Sequence, residues 1–281
     1  MKKADLKKDL KKIVTGDVLD SPMILDKFST DASIFKITPQ VVVQPKNVSD
    51  IQKLVGFVNE QKDQKLSLTA RTAGTDMTGG PLNRSIILDF TKYFNKVKEV
   101  GHGHAITEPG VYYRDFERQT LRKGLFLPSY PASRELCAIG GMVSNNSGGE
   151  KTLAYGKTEK YVAEMKMVLR DGNEYVFEPL NHKQLKQKMA LQNFEGEIYR
   201  KMFELVSNNI DLIEKERPTV SKNSAGYAIW NVWKNEVFDL TKIFVGAQGT
   251  LGIMTEVVFP PAAAARARNS LTRDSMTYTA F

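Results

Sequence analysis

The chain has 281 residues, 41% hydrophobic and 26% charged, which is ordinary for a soluble globular protein with one large core or two smaller ones. No apolar run approaches the roughly 18 residues a membrane span needs, and the opening MKKADLKKDLKKIV is basic without an apolar stretch, so it does not read as a secretory signal. Much of the formal charge of +8 sits in Lys2, Lys3, Lys7, Lys8, Lys11 and Lys12; this reads as a solvated helix face, with a peripheral hold on an anionic membrane surface as the sharper alternative, and the lack of interleaved aromatics speaks against a nucleic-acid partner.

In chain order, residues 4–14 predict a short amphipathic helix with Leu6, Leu10, Ile13 and Val14 on one face. Val41 to Val43 reads as a strand stopped by Pro45. Asn47 or Ser49 caps a helix in which Val48, Ile51, Val55 and Val58 recur at helical spacing. Strands at 66–69 and 85–90 flank a polar glycine-rich loop at 71–80, so this half reads as an α/β unit with the loop at a strand end. Beyond it, 104–108 is a strand and 111–123 a helix ended by Gly124. The stretch 138–149 has neither period. Residues 164–177 form a hairpin around Asp171-Gly172, 183–215 is helix-prone, and 242–245 and 253–259 read as strands flanking a glycine-rich turn. The last residues, after Pro260-Pro261, show no apolar period and read as a disordered or non-native tail.

Cys137 is the single cysteine, which excludes an internal disulfide and fits a reducing cytoplasm. His102 and His104 stand in a G-H-G-H stretch with no further ligands grouped nearby, so a turn is read there and no metal site.

Three segments carry chemistry. The first is R-T-A-G-T-D-M-T-G-G, residues 71–80. Small residues after a strand let several backbone N–H groups face one anion such as a pyrophosphate. It is neither G-x-G-x-x-G nor a Walker A loop, and an ordinary surface turn is equally open. The second, I-G-G-M-V-S-N-N-S-G-G at 139–149, offers polar amides to the heteroatoms of a flat ring and glycines that let backbone lie against it; the bland alternative is a long loop. The third, G-A-Q-G-T-L-G-I-M-T-E at 246–256, reads by itself as a tight turn into a strand.

Together and in this order, the segments resemble the PCMH-type (vanillyl-alcohol-oxidase) FAD-linked oxidases, whose corresponding motifs run R-G-G-G-T-S-L-T-G, I-G-G-N-I-A-T-N-A-G-G and G-S-E-G-T-L-G-I-I-T-E. Tyr155-Gly156 falls where that family has Y-G, and the resemblance spans about residues 25–259. The branch it most resembles is that of the D-2-hydroxy-acid dehydrogenases (D-2-hydroxyglutarate and D-lactate dehydrogenases and the glycolate oxidase FAD subunit), through Cys137 before I-G-G and Asn223-Ser224-Ala225-Gly226-Tyr227 before the closing motif.

The resemblance implies an α+β, PCMH-type fold of two α/β subdomains with FAD between them: an N-terminal helix and lead-in at 1–36, a first subdomain at 37–100, a second at 101–260 and the tail at 261–281. It implies FAD contacts from Arg71, Thr72, Ala73, Gly74, Thr75, Asp76, Thr78 and Gly79 around the pyrophosphate, and from Pro131, Ala138, Gly140, Gly141, Ser144, Asn146, Gly149, Tyr155, Gly156, Gly249, Gly252 and Ile253 along the rest of the cofactor. Thr75 stands where covalently flavinylated members have histidine, so FAD is expected to be non-covalent.

The expected reaction is oxidation of a small D-2-hydroxy acid. No catalytic base is assigned, and Lys222 is only a weak candidate for an anionic group. The family's cap, which carries the substrate contacts, is expected to be absent here. That leaves two further readings: an incomplete FAD-binding module, or a subunit whose partner brings the cap or accepts the electrons. A UDP-N-acetylenolpyruvoylglucosamine reductase-like enzyme is a third reading, disfavoured by the 223–227 element. Departures from the family pattern are Ala73 for a glycine and Gln248 for a glutamate.

Overall fold

The computed structural model describes residues 3–61, 63, 65–101, 103–220, 223 and 226–259. His102, Lys222 and the tail at 261–281 lie outside them. A first sheet has the order β1 (Asp17–Leu19), β2 (Val41–Gln44), β4 (Ile86–Asp89), β3 (Leu68–Arg71). Its last three strands are parallel and β1 joins antiparallel. Each parallel crossover needs a connecting element: between β2 and β3 it is helix α3 (Val48–Glu60), and Asn47 caps α3 by accepting from the Asp50 amide at 3.0 Å. Helix α1 (Lys3–Ile13) packs Leu6 and Leu10 into the same core as Val41, Val43, Ile51, Leu54, Ile86 and Leu88. Helix α2 (Pro22–Lys27) covers the other side with Leu25 against Val42 and Ile87.

The strand from the expected lead-in is fastened by a carboxylate. Asp50 is fully buried and accepts from the amides of Thr15, Gly16 and Lys46 at 2.8–2.9 Å. The lead-in is therefore part of the first unit.

A second, antiparallel sheet has the order β5 (Val97–Val100), β6 (Ala105–Thr107), β11 (Ile253–Phe259), β7 (Glu164–Val168), β8 (Glu174–Phe177). The strand at 97–100, placed in the first unit by the sequence, thus pairs in the second. The hairpin at 164–177 forms with Asp171-Gly172 as the end of a three-residue turn: Leu169 and Asn173 close it at 3.0 Å and Gly172 takes φ +82°. Helices α4 (Tyr113–Leu121), α7 (His182–Ala190), α8 (Phe194–Asn208) and α9 (Ile210–Lys215) lie in the second unit, whose core includes Tyr113, Phe116, Phe177, Tyr199 and Phe238. A two-stranded ribbon, β9 (Trp233–Lys234) with β10 (Val237–Phe238), completes it.

Two local expectations are corrected. Residues 139–144 are helical (α5, Ile139–Ser144), and a turn of helix follows at α6 (Thr152–Tyr155). Residues 241–244 are helix α10 (Thr241–Phe244), not strand, because Asp239 accepts from the Thr241 amide at 2.9 Å and starts a helical turn. No helix among the described residues is long and apolar enough to cross a membrane.

Candidate functional site

A cavity of about 380 Å³ is lined by the loop that follows β3 in the first unit and by α5 and the turn before β11 in the second. The three segments singled out in the sequence meet there.

The loop after β3 is built on Arg71. Its guanidinium donates to the carbonyls of Phe28 at 3.1 Å and Thr30 at 2.8 Å, stacked on the Phe28 ring at 5.1 Å. Burial pulls its pKa down, opposed by Asp31 and Asp89. Gly74 follows at φ +69°, and a Cβ there would lie 2.4 Å from Arg71 Nη2, so glycine is required twice over. Asp76 braces the far side, accepting from the Thr78 hydroxyl at 2.6 Å and the Gly80 amide at 2.9 Å. Among the described residues, the amides of 72–76 have no hydrogen-bond acceptor, so they are available to an anion.

Opposite stands α5. The Gly140 amide donates to the Pro109 carbonyl at 2.8 Å, and a Cβ on Gly140 would meet Pro109 Cβ at 2.8 Å. A Cβ on Gly141 would meet only Thr72 Oγ1, at 3.3 Å. The third segment is bonded to the end of α5 through Gly246 N–H to the Val143 carbonyl at 3.0 Å and Gln248 N–H to the Ser144 carbonyl at 2.9 Å. It bends through Gly246, Gln248 and Gly249, all at positive φ.

Arg71, Thr72, Gly74, Thr75, Asp76 and Thr78 therefore line one side, and Pro131, Gly140, Gly141, Ser144, Gly249 and Gly252 the other. The remaining candidates do not line it. Ala73 stays within its loop. Gly79 packs on the Phe35 ring, and Ala138 is buried in a bridge to Tyr112. Asn146, at φ +45°, is tied to Glu159 through its side-chain oxygen (3.0 Å) and nitrogen (3.1 Å). Gly149 lies against the Tyr130 carbonyl, the Tyr155 carbonyl accepts the Tyr161 hydroxyl at 2.7 Å, and Gly156 caps α6 at φ +83°. The Ile253 side chain enters the core of the first unit. These positions are not among the residues that line the cavity.

Sequence reading missed the floor, which is Met142, Met165, Met167, Met254, Phe244 and Phe90. Met165 and Met167 alternate on β7, and Met254 pairs with Met167 across β11, so a thioether surface suited to a flat aromatic ring comes from separate elements. The alternation on β7 was visible; the partners were not. Anion-ready amides at one end and an apolar floor with a glycine wall fit a dinucleotide-like cofactor carrying a flat ring.

Cys137 also lines the cavity. Burial pushes its thiol up to about 11, so at pH 8 it holds roughly a hundredfold or more less thiolate than an ordinary cysteine. We expect iodoacetamide labelling, followed by mass spectrometry, to be slowed at least that much at pH 8 relative to the unfolded chain. Since the folded value is the higher one, the thiol's contribution to stability is intact below pH 9, and it is lost as pH rises through about 11. Rapid labelling at pH 8 would contradict the burial. Among the described residues no group of three or more His, Cys, Asp or Glu side chains could hold a metal ion.

Residues 39–177 match the family model described as "FAD binding domain". D-2-hydroxyglutarate dehydrogenase of Escherichia coli (strain K12) is 29% identical over 247 residues, 86% of this chain and 24% of that protein. Glycolate oxidase subunit GlcD of Bacillus subtilis (strain 168) is 28% identical over 236 residues, 82% of this chain and 39% of that protein. The chain thus spans about a quarter to two fifths of the length of these relatives. Among solved structures, alkyldihydroxyacetonephosphate synthase superposes with a TM-score of 0.63 at 18% identity, over 92% of this chain and 40% of that one, a likeness of fold. With the family model and the relatives in agreement, residues 39–177 carry an FAD-binding domain of the PCMH type, and the cofactor of that domain is FAD.

Proposed function

We propose that the chain is the FAD-binding part of a flavoprotein that oxidises a D-2-hydroxy acid, with FAD held non-covalently between the two sheet units. The observation that carries this is the cavity itself, with the unpaired amides of residues 72–76 at one end and the methionine floor at the other. The relatives named as D-2-hydroxyglutarate dehydrogenase and glycolate oxidase subunit support the substrate class. When bound, FAD supplies the hydride acceptor.

The chain's own residues bind and orient. The amides of 72–76 hold the pyrophosphate, Gly140 and Gly141 admit the cofactor against α5, and Pro131, Gly249 and Gly252 border the remainder. Thr75 is no nucleophile toward the flavin and burial holds the Cys137 thiol in its protonated form, which supports non-covalent binding. The single buried thiol accords with a cytoplasmic setting.

One observation favours a second reading, a FAD-binding module that needs a further domain or a partner subunit for turnover. The charged residues lining the cavity, among those described, are Arg71 and Asp76, and both spend their charged groups inside the chain. A cation for the substrate carboxylate and a base for its hydroxyl are therefore not provided by these walls.

One preparation separates the readings. The purified chain should be yellow and release FAD, not FMN, on acid denaturation, because the anion end is matched to a pyrophosphate. Anaerobic bleaching by D-lactate, D-2-hydroxyglutarate or glycolate, at a rate near the ~10 s⁻¹ typical of enzymes, supports the complete oxidoreductase. Bleaching by dithionite alone supports the module. A chain that takes up no FAD overturns both.

A further inference from the structure

Tyr227, in the Asn223–Tyr227 element, lies outside the cavity and is 45% exposed, yet its hydroxyl is 2.8 Å from Thr250 Oγ1. The Thr250 hydroxyl itself donates to the Ala247 carbonyl at 2.6 Å. That fixes the direction of the relay: the Thr250 proton is used on Ala247, so Tyr227 is the donor to Thr250. The backbone repeats the link, with Thr250 N–H on the Ala247 carbonyl at 3.0 Å.

The turn so closed forms a wall of the cavity through Ala247, Gln248, Gly249 and Leu251. It contains Gln248 at φ +53°, a conformation that L side chains rarely adopt. Such a residue persists only where its surroundings over-determine it. Here the surroundings are the Gln248 amide on Ser144, the Thr250 relay and Tyr227. Tyr227 is in turn held from behind: its carbonyl accepts from the Ile229 amide at 2.8 Å, and Val232, three residues on, is fully buried in the second core.

Resting on the FAD reading above, we propose that Tyr227 is a positioning residue for the cofactor, acting through Thr250 to hold the strained 247–251 wall in its binding geometry. Because Tyr227 is 45% exposed and belongs to none of the core clusters among the described residues, its role is in the wall and not in the fold.

The test uses the full chain. Tyr227→Phe should raise the dissociation constant for FAD about threefold to tenfold, the worth of one hydrogen bond, and alter the visible circular dichroism of the bound flavin. The thermal midpoint of the FAD-free chain should move by less than about 2 °C. Thr250→Val, which also loses the bond to Ala247, should weaken binding at least as much, Thr250→Ser should keep wild-type binding, and the double variant Tyr227→Phe/Thr250→Val should be no weaker than Thr250→Val alone. Wild-type affinity and spectrum in Tyr227→Phe, or full additivity in the double variant, overturns the proposal while leaving the FAD reading intact. A wild-type chain that binds no FAD overturns both.

Discussion

Gly141→Val is expected to weaken FAD binding strongly and to leave the FAD-free chain folded. An added Cβ at this position meets nothing but Thr72 Oγ1, at 3.3 Å, and the residue lines the cavity. The branched side chain therefore enters the gap between α5 and the anion-binding loop and leaves the core alone. Helix propensity even favours valine slightly over glycine. Overfilling a fitted space costs about 1–3 kcal/mol, so the dissociation constant should rise up to about 100-fold. Its neighbours are poorer tests: a Cβ on Gly140 collides with Pro109 at 2.8 Å, and one on Gly74 with the Arg71 guanidinium at 2.4 Å, so either change would disturb the chain itself. Fluorescence titration with FAD, alongside a thermal melt of the FAD-free protein, measures both halves. Unchanged affinity would remove this cavity as the FAD site.

Arg71→Ala should act the other way, through the scaffold. It removes two hydrogen bonds from a buried cation to the carbonyls of Phe28 and Thr30 and leaves those carbonyls without their partner. Hydrogen bonds from charged groups are worth about 1.5–3 kcal/mol each, and part of that returns as water enters. A loss of about 3 kcal/mol in unfolding free energy is expected, seen as a lower urea midpoint at constant slope. FAD binding falls with it, because Gly74 rests on the lost side chain. Arg71→Lys should not restore stability, since one ammonium lacks the planar fork that reaches both carbonyls. Normal stability with lost FAD would mean that Arg71 serves the ligand directly instead of the loop.

The sequence was legible where a local rule decides the outcome. Asn47 before an apolar period gave α3, Asp171-Gly172 gave the β7–β8 hairpin, and the loops at 71–80 and 246–256 could be placed at strand ends. It was illegible where tertiary contacts override local preference. α5 carries Gly140-Gly141, poor helix formers, in its first turn and stands because Ile139 and Gly140 donate to the carbonyls of Val111 and Pro109. Residues 241–244 carry strand-like side chains, yet the Asp239 carboxylate turns them into a helix. The site divides in the same way. Its glycines announce themselves because close approach needs them. The floor could not be read, because Met142, Met167 and Met254 are ordinary apolar residues until the fold brings them together.

The place of β11 in its sheet has a consequence for synthesis on the ribosome. Residues 253–259 lie between β6 and β7, and those two strands share no ladder except through them. The first sheet, by contrast, is complete by residue 89. The emerging polypeptide can thus close its first sheet early, but the middle of the second stays unfilled until β11 leaves the exit tunnel. Until then β6 and β7 present unpaired edges, the kind of surface that invites wrong partners and chaperones. Nascent chains stalled before residue 253 should therefore show a protease-resistant N-terminal unit followed by a cleavable remainder, and resistance of that remainder should appear only once β11 has been made.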